Sequence, residues 1–292
     1  ALAADFLARF PAEMLALQRL NHPNVAKFFD SGVHAGTAYS ASELVDGPDL
    51  AARLKAAGHS GLNWKDDLVR LAVQIARALK HGHHRSILHR ALTPGNVLTS
   101  ANGTVKLADF GVAKVLNLPP LAAPADGNPW CPAAFTAPEC LTGKPVTRRS
   151  DLYSLGCVLY AAATGRPPFL AATPAEFLHK HCYTLPDRPQ QFAPKLPTEL
   201  DDLIVALLAK DPNRRPASAA AVLESLDQIR GKLERKGIAV GWPSDAGDTH
   251  PTPALGALLD AEDVEEPARP LMSRPVVVVP LFLLVAGLLV WG

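Results

Sequence analysis

The sequence lacks net charge, has few cysteines and shows no internal repeat. Lys and Arg number 29 against 28 Asp and Glu, leaving a formal charge of +1. That balance gives no electrostatic footprint for a nucleic-acid partner. The four cysteines, Cys131, Cys140, Cys157 and Cys182, form no C-x-x-C pair and no zinc-type spacing with histidine. A disulfide scaffold and a zinc module are excluded, and a reducing compartment fits best. No signal-peptide pattern is visible in the first residues, and the sequence opens on Ala1, so a fragment or processed product is expected. What is plentiful is apolar residue, 48% of 292, enough for a sizeable core and against global disorder. Proline is also plentiful at 27, clustered near 119–132, 243–253 and 267–275, where loops and a linker are expected.

The C-terminal run PVVVVPLFLLVAGLLVWG, residues 275–292, carries no charge. As a helix, its length of about 27 Å approaches a ~30 Å hydrocarbon core. We expect a transmembrane helix there, cut short or complete. Arg269 and Arg274 just before it favour a cytoplasmic 1–274 and a single-pass cell-membrane protein. Residues 235–274 hold many prolines and the acidic cluster Asp260, Glu262, Asp263, Glu265 and Glu266, the composition of a juxtamembrane linker.

Between the ends, helical spacing of Leu7, Phe10, Met14, Leu17 and Leu20 predicts a helix over 3–20, ended by Asn21-His22-Pro23-Asn24. Short strands are expected at 25–30 and 37–45, and a hairpin at 97–98 and 105–107 around Asn102-Gly103. Helices are expected at 49–57, 66–83, 150–164, 174–181, 199–209 and 217–234. A little β followed by a mostly helical body is α+β with unequal parts. The run His81-Gly82-His83-His84 has the wrong spacing for an i, i+4 metal pair, and a cationic helix C-terminus accounts for it.

Five motifs then fall in one order: His89-Arg90-Ala91-Leu92-Thr93-Pro94-Gly95-Asn96, Asp109-Phe110-Gly111, Ala137-Pro138-Glu139, Asp151-Leu152-Tyr153-Ser154-Leu155-Gly156, and Asp211-Pro212-Asn213-Arg214-Arg215-Pro216. In this order and spacing the chain resembles the eukaryotic-type protein kinases, of the bacterial membrane-anchored Ser/Thr class. The resemblance implies a kinase-like fold with a truncated N-terminal lobe over 1–45 and a mostly α-helical C-terminal lobe over 46–234. It implies Glu13 as the helix glutamate that pairs with a strand lysine gripping the phosphates of ATP. That lysine and the Gly-rich loop would precede the helix and are absent from the sequence. Ser42 to Val45 match the gatekeeper and hinge, with the Glu43 carbonyl and Val45 amide facing an adenine edge and Leu98 beneath the ring. Asn96 and Asp109 match the Mg²⁺ ligands. Leu17, Phe28, His89 and Phe110 match the stacked column between lobes. Glu139 is expected to pair with Arg215, and Asp151 to cap the catalytic-loop backbone.

Three positions depart from the family pattern. The catalytic Asp is Ala91, the γ-phosphate Lys is Thr93, and the Thr that bonds both is Pro132, seven residues before Glu139. Arg90 would meet a phosphate on the activation segment, yet that segment offers only Thr136 as a hydroxyl. We therefore expect a membrane-anchored pseudokinase, a signalling or scaffold module that could still hold ATP and Mg²⁺. The alternative is a weakly active Ser/Thr kinase, because phosphoryl transfer relies mainly on positioning. A protein partner or substrate is implied, with self-association as a further expectation.

Overall fold

The computed structural model describes residues 14–34, 37–58, 61–111, 131–243 and 276–280. Two lobes result, a small β-sheet lobe and a predominantly helical one. The expected helix over 3–20 is described only at its end, where residues 14–15 are helical and a 3-10 turn spans Ala16–Arg19. Glu13 lies outside the described residues. Asn24 does more than end a helix. It is buried and donates from Nδ2 to Gln74 Oε1 (2.9 Å) and to the Val105 carbonyl (2.8 Å).

Strands β1 (Phe28–His34) and β2 (Thr37–Glu43) pair antiparallel, with a bulge between Phe28 and Asp30. A third strand, β5 (Val276–Pro280), joins the other side of β2, giving the order β1-β2-β5. Here the structure differs from the sequence reading. The first residues of the expected transmembrane helix are extended, because a run of β-branched valines bounded by prolines suits a strand better than a helix. Residues 281–292 lie outside the described residues, and no helix among the described residues is long and apolar enough to cross a membrane.

The helical lobe begins with α1 (Leu50–Ala57), capped by Asp49, whose side chain accepts from the Ala52 amide (2.7 Å). A π-helical turn, Trp64–Leu68, feeds α2 (Val69–His84), which is buried along Val69, Leu71, Val73, Ile75, Ala76 and Leu79. The hairpin β3 (Val97–Thr99) and β4 (Val105–Leu107) follows. After a short α3 (Pro138–Leu141) comes the central α4 (Arg148–Thr164). A Thr147–Ser150 capping box starts α4 and left-handed Gly165 ends it, and every residue from Ser150 to Thr164 is buried. Such all-round burial makes it the axis of the lobe. Helices α5 (Pro174–Tyr183), α6 (Thr198–Leu207) and α7 (Ala219–Arg235) pack around it, each within a few residues of its expected place.

The chain leaves this lobe against the π-helical turn. The Gly241 amide donates to the Lys65 carbonyl (2.8 Å), and a Cβ on Gly241 would come within 3.0 Å of the Asp66 carbonyl oxygen. The Arg230 guanidinium lies 4.3 Å from the Trp242 ring centre.

Candidate functional site

The loop Ile87–Asn96 joins α2 to β3, and the turn Ala108–Gly111 follows β4. Backbone bonds bind these two segments together. The Ala108 amide donates to the Asn96 carbonyl (3.0 Å), and the Gly111 amide to the His89 carbonyl (3.3 Å). Asn96 and Asp109 are thereby brought to one place. Arg90 and Asp109 both take left-handed backbone, at φ 67° and 56°, an uncommon conformation for non-glycine residues that often marks a functional turn.

Beneath the loop sits Asp151, buried at 1% exposure near the start of α4. Its carboxylate accepts from the His89 amide (2.9 Å), the Arg90 amide (2.8 Å) and His83 Nε2 (2.8 Å). Burial works to raise its pKa, but the hydrogen bond and charge of His83 and the backbone donors outweigh it and hold the carboxyl below its usual value. The cap expected of Asp151 is thus present in the geometry, and His83 is an addition. The histidine run holds no metal cluster among the described residues. Instead His83 reaches Asp151, and His81 Nδ1 lies 3.2 Å from Arg85 Nη1. Nothing local in the sequence marks His83 for this, since its partner lies 68 residues away.

His89 is fully buried and packs on Phe110 with ring centres 4.7 Å apart. Burial pushes its pKa down to about 4, against the pull of Asp151, so the ring is neutral at pH 7. Leu17, Phe28 and Phe110 line one cleft with Met14, Ser42 and Asp109, of about 420 Å³ including its open mouth. Asp109 reaches solvent within this crowded cleft, and desolvation raises its carboxyl pKa.

Of the three residues that depart from the family pattern, Ala91 and Thr93 lie on this loop and Pro132 on the turn Pro132–Phe135. Ala91 presents a methyl where the backbone is held from both sides: its amide meets His89 Nδ1 (3.4 Å), and its carbonyl accepts from Asn96 Nδ2 (2.8 Å). That bond engages Nδ2 of the Asn96 amide. Thr93 precedes the 3-10 turn Pro94–Asn96, and its hydroxyl makes no hydrogen bond among the described residues. Pro132 opens the 3-10 turn Pro132–Phe135 on the surface, and its carbonyl accepts from Thr136 Oγ1 (2.8 Å). No acid, base or cation stands at any of these three positions.

At the hinge, Glu43 is held by Lys106 Nζ (3.0 Å) and by the Lys27 amide (3.1 Å), both contacts falling on Oε2. The Val45 amide makes no backbone hydrogen bond among the described residues, and its carbonyl accepts from the Gly47 amide (3.0 Å). Leu98 lies on β3 next to the hinge, bridging to Asp49. Gly47 makes this approach tight: a Cβ there would fall 1.9 Å from the Thr99 carbonyl oxygen.

A second buried pair anchors the segment that ends in α3. Arg215 donates from Nη1 and Nη2 to both oxygens of Glu139 (2.7 and 2.9 Å), from the same nitrogens to the carbonyls of Arg149 and Lys210, and from Nε to the Ala209 carbonyl. Burial would raise the Glu139 pKa, but Arg215 overrides it and holds the carboxyl low. Residues 112–130, between the cleft and this anchor, lie outside the described residues.

Comparison with known proteins agrees with this geometry. A family model for the protein kinase domain matches residues 3–226. A probable serine/threonine-protein kinase of Streptomyces coelicolor is 34% identical over 240 residues, covering 80% of this chain and 34% of that protein. Serine/threonine-protein kinase PknA of Mycobacterium tuberculosis is 33% identical over 231 residues, 77% of this chain and 52% of PknA. This chain therefore spans about half or less of these relatives' length. Among solved structures, the M. tuberculosis PknI kinase domain aligns with TM-score 0.60 at 26% identity, covering 80% of both chains. Motif order, a bilobal fold and the family match converge, and the chain belongs to the protein kinase domain family.

Proposed function

We propose that this domain is a pseudokinase: a kinase fold that retains part of its nucleotide and metal apparatus and acts as a signalling or scaffold module at a membrane. One observation carries the reading. The catalytic-loop backbone around Ala91 is fixed by Asp151, His89 and Asn96, yet the side chain it presents is a methyl. A positioned acid or base contributes 10²–10⁴-fold in typical enzymes. With Thr93 on the loop and Pro132 on the turn before α3, the γ-phosphate also loses a cation and the loop a hydroxyl.

ATP with Mg²⁺ fits what remains. Asn96 Oδ1 and the Asp109 carboxylate are hard oxygen donors of the kind Mg²⁺ takes, and the Val45 amide and Glu43 carbonyl suit an adenine edge. When bound, the metal would neutralise phosphate charge. The chain's own contribution is to orient Asn96 through the Ala91 carbonyl and to place Asp109 on the wall of the cleft beside Phe110. The retained Asn96 and Asp109 favour the second reading, a weakly active Ser/Thr kinase acting on protein hydroxyls. The apolar run 275–292 and Arg269 and Arg274 support a single membrane pass with the domain on the cytoplasmic side.

The deciding experiment is phosphate transfer from labelled ATP with Mg²⁺ or Mn²⁺, beside an Asp109→Ala control, with nucleotide binding followed by calorimetry. Absent transfer in a folded protein supports the pseudokinase. Transfer that vanishes in the control overturns it and makes the second reading the function.

A further inference from the structure

After α7 the chain folds back on the helical lobe. Left-handed Gly237 (φ 73°) closes the helix, and the Gly237 and Ile238 amides donate to the Glu234 and Leu233 carbonyls (2.9 and 3.0 Å). Ile238, Val240 and Trp242 then pack inward against the core while Ala239 is exposed, the alternation of an extended segment. The Trp242 ring lies under the Arg230 guanidinium of α7, at 4.3 Å. The inward residues are half-buried, not buried, which places the segment at the low end of local stability.

What the segment lands on is the π-helical turn Trp64–Leu68. Such turns are rare and gather at functional sites. Here the Leu68 amide donates to the Asn63 carbonyl (3.0 Å) and the Val69 amide to the Trp64 carbonyl. An α-helix would give the Val69 amide to the Lys65 carbonyl instead. That carbonyl is met by the Gly241 amide, at 2.8 Å. The close approach requires glycine: a Cβ on Gly241 would fall 3.0 Å from the Asp66 carbonyl oxygen and 3.1 Å from the Asp66 Cα, backbone atoms that cannot turn aside. The exit segment thus supplies the one donor that the π register leaves the Lys65 carbonyl to find elsewhere.

From the same turn a second set of bonds leads to the hinge. Asp67 Oδ1 accepts from Arg53 Nη2 of α1 (3.2 Å), and Arg53 Nη1 donates to Thr99 Oγ1 on β3 (3.3 Å). The Thr99 amide donates to the Pro48 carbonyl (3.2 Å), so β3 and the loop after the hinge meet at this residue, next to Leu98. We propose that residues 238–242 are a detachable strap. Seated, the strap holds the turn Trp64–Leu68 in its π register and, through Asp67 and Arg53, holds β3 at the hinge edge of the cleft. Released, it leaves the Lys65 carbonyl to take the Val69 amide. That change of register re-aims the side chains ahead of Val69 by about 100° and parts Asp67 from Arg53. Whatever takes hold of the chain at 238–242 is thereby felt at β3.

The test is amide hydrogen exchange in the 292-residue chain. Gly241→Ala sets a Cβ against Asp66 and unseats the strap, so exchange over residues 65–69 should quicken about tenfold and that of Thr99 about threefold. Trp242→Phe keeps a ring under Arg230 and should leave both near the parent. Arg53→Gln cuts the relay in its middle: Thr99 should quicken while 65–69 stay as they were. Gly241→Ala with Arg53→Gln should exchange at Thr99 no faster than Arg53→Gln alone, because the two act on one path. Residues 65–69 unmoved by Gly241→Ala overturn the strap. Thr99 unmoved by Gly241→Ala, or effects that multiply in the double variant, overturn the relay to β3. Should Gly241→Ala loosen α4 as well, Trp242→Ala, which adds no atoms, gives the same readout. Quickening confined to 65–69 and Thr99 supports the strap, and its absence there overturns it.

Discussion

The buried and the exposed faces around the loop Ile87–Asn96 are built differently. The buried face has a dense set of bonds, with Asp151 under His89 and Arg90 and His83 beside it, and a second buried pair, Glu139 with Arg215, holds α3. Ala91 and Thr93 on the loop, and Pro132 on the turn before α3, carry no charge. Under the pseudokinase reading proposed above, the bonds that build the fold are separable from the groups that would move a phosphoryl group.

The comparison can be tested hardest from within. Arg215→Ala leaves Glu139 as an uncompensated buried charge, and the loss expected from urea unfolding is about 3–5 kcal/mol. A smaller loss, near that of a surface change, would show that the buried bonds are as dispensable as the exposed positions. Acid offers a second probe. Burial lowers His89 to about 4 and His181 to about 3, from an unfolded value near 6.5. Their contribution is fully present above pH 6.5 and is lost as pH falls toward the folded values, because only the unfolded chain takes up the proton. At pH 5 each histidine should cost roughly 2 kcal/mol relative to pH 7, measured by unfolding at both pH values. Asp151 and Glu139, whose folded pKa values are depressed, act later in the same direction, below the ordinary carboxylate range.

Asp151→Asn should cost about 2 kcal/mol, since a neutral amide replaces a carboxylate with three donors. Faster amide exchange at His89 and Arg90 would locate the damage. The three uncharged positions should answer oppositely. Ala91→Asp with Thr93→Lys and Pro132→Thr should move stability by less than about 1 kcal/mol, as surface changes do, while raising phosphate transfer in a protein that also carries the Gly-rich loop and strand lysine. A large stability loss would couple the two faces and end the comparison. Unchanged transfer would place the defect beyond these three residues.

Much of this was legible in the sequence because its signals are local. Thr147 and Gly165 bracket α4, and Pro174 opens α5 behind its Thr173 cap. The motif order likewise placed Asp151 and the Glu139–Arg215 pair, whose partners are fixed by family geometry. What escaped depends on residues distant in sequence. His83 finds Asp151, Asn24 finds Gln74, and Lys106 finds Glu43, separated by 68, 50 and 63 positions. At 276–280 the backbone is extended and pairs with β2, where the apolar run predicts the start of a helix, and that pairing partner lies more than 230 positions away.

The exit of the chain gives the domain a defined line of force. Because Gly241 is bonded to Lys65 and Trp242 is held under Arg230, tension on the polypeptide beyond them is borne first by the π-helical turn, not by the tip of α7. That turn is continuous with α2, and α2 runs straight into the loop of His89 and Ala91. The exit thus ties α7, the π-helical turn and the start of α2 into one corner of the helical lobe.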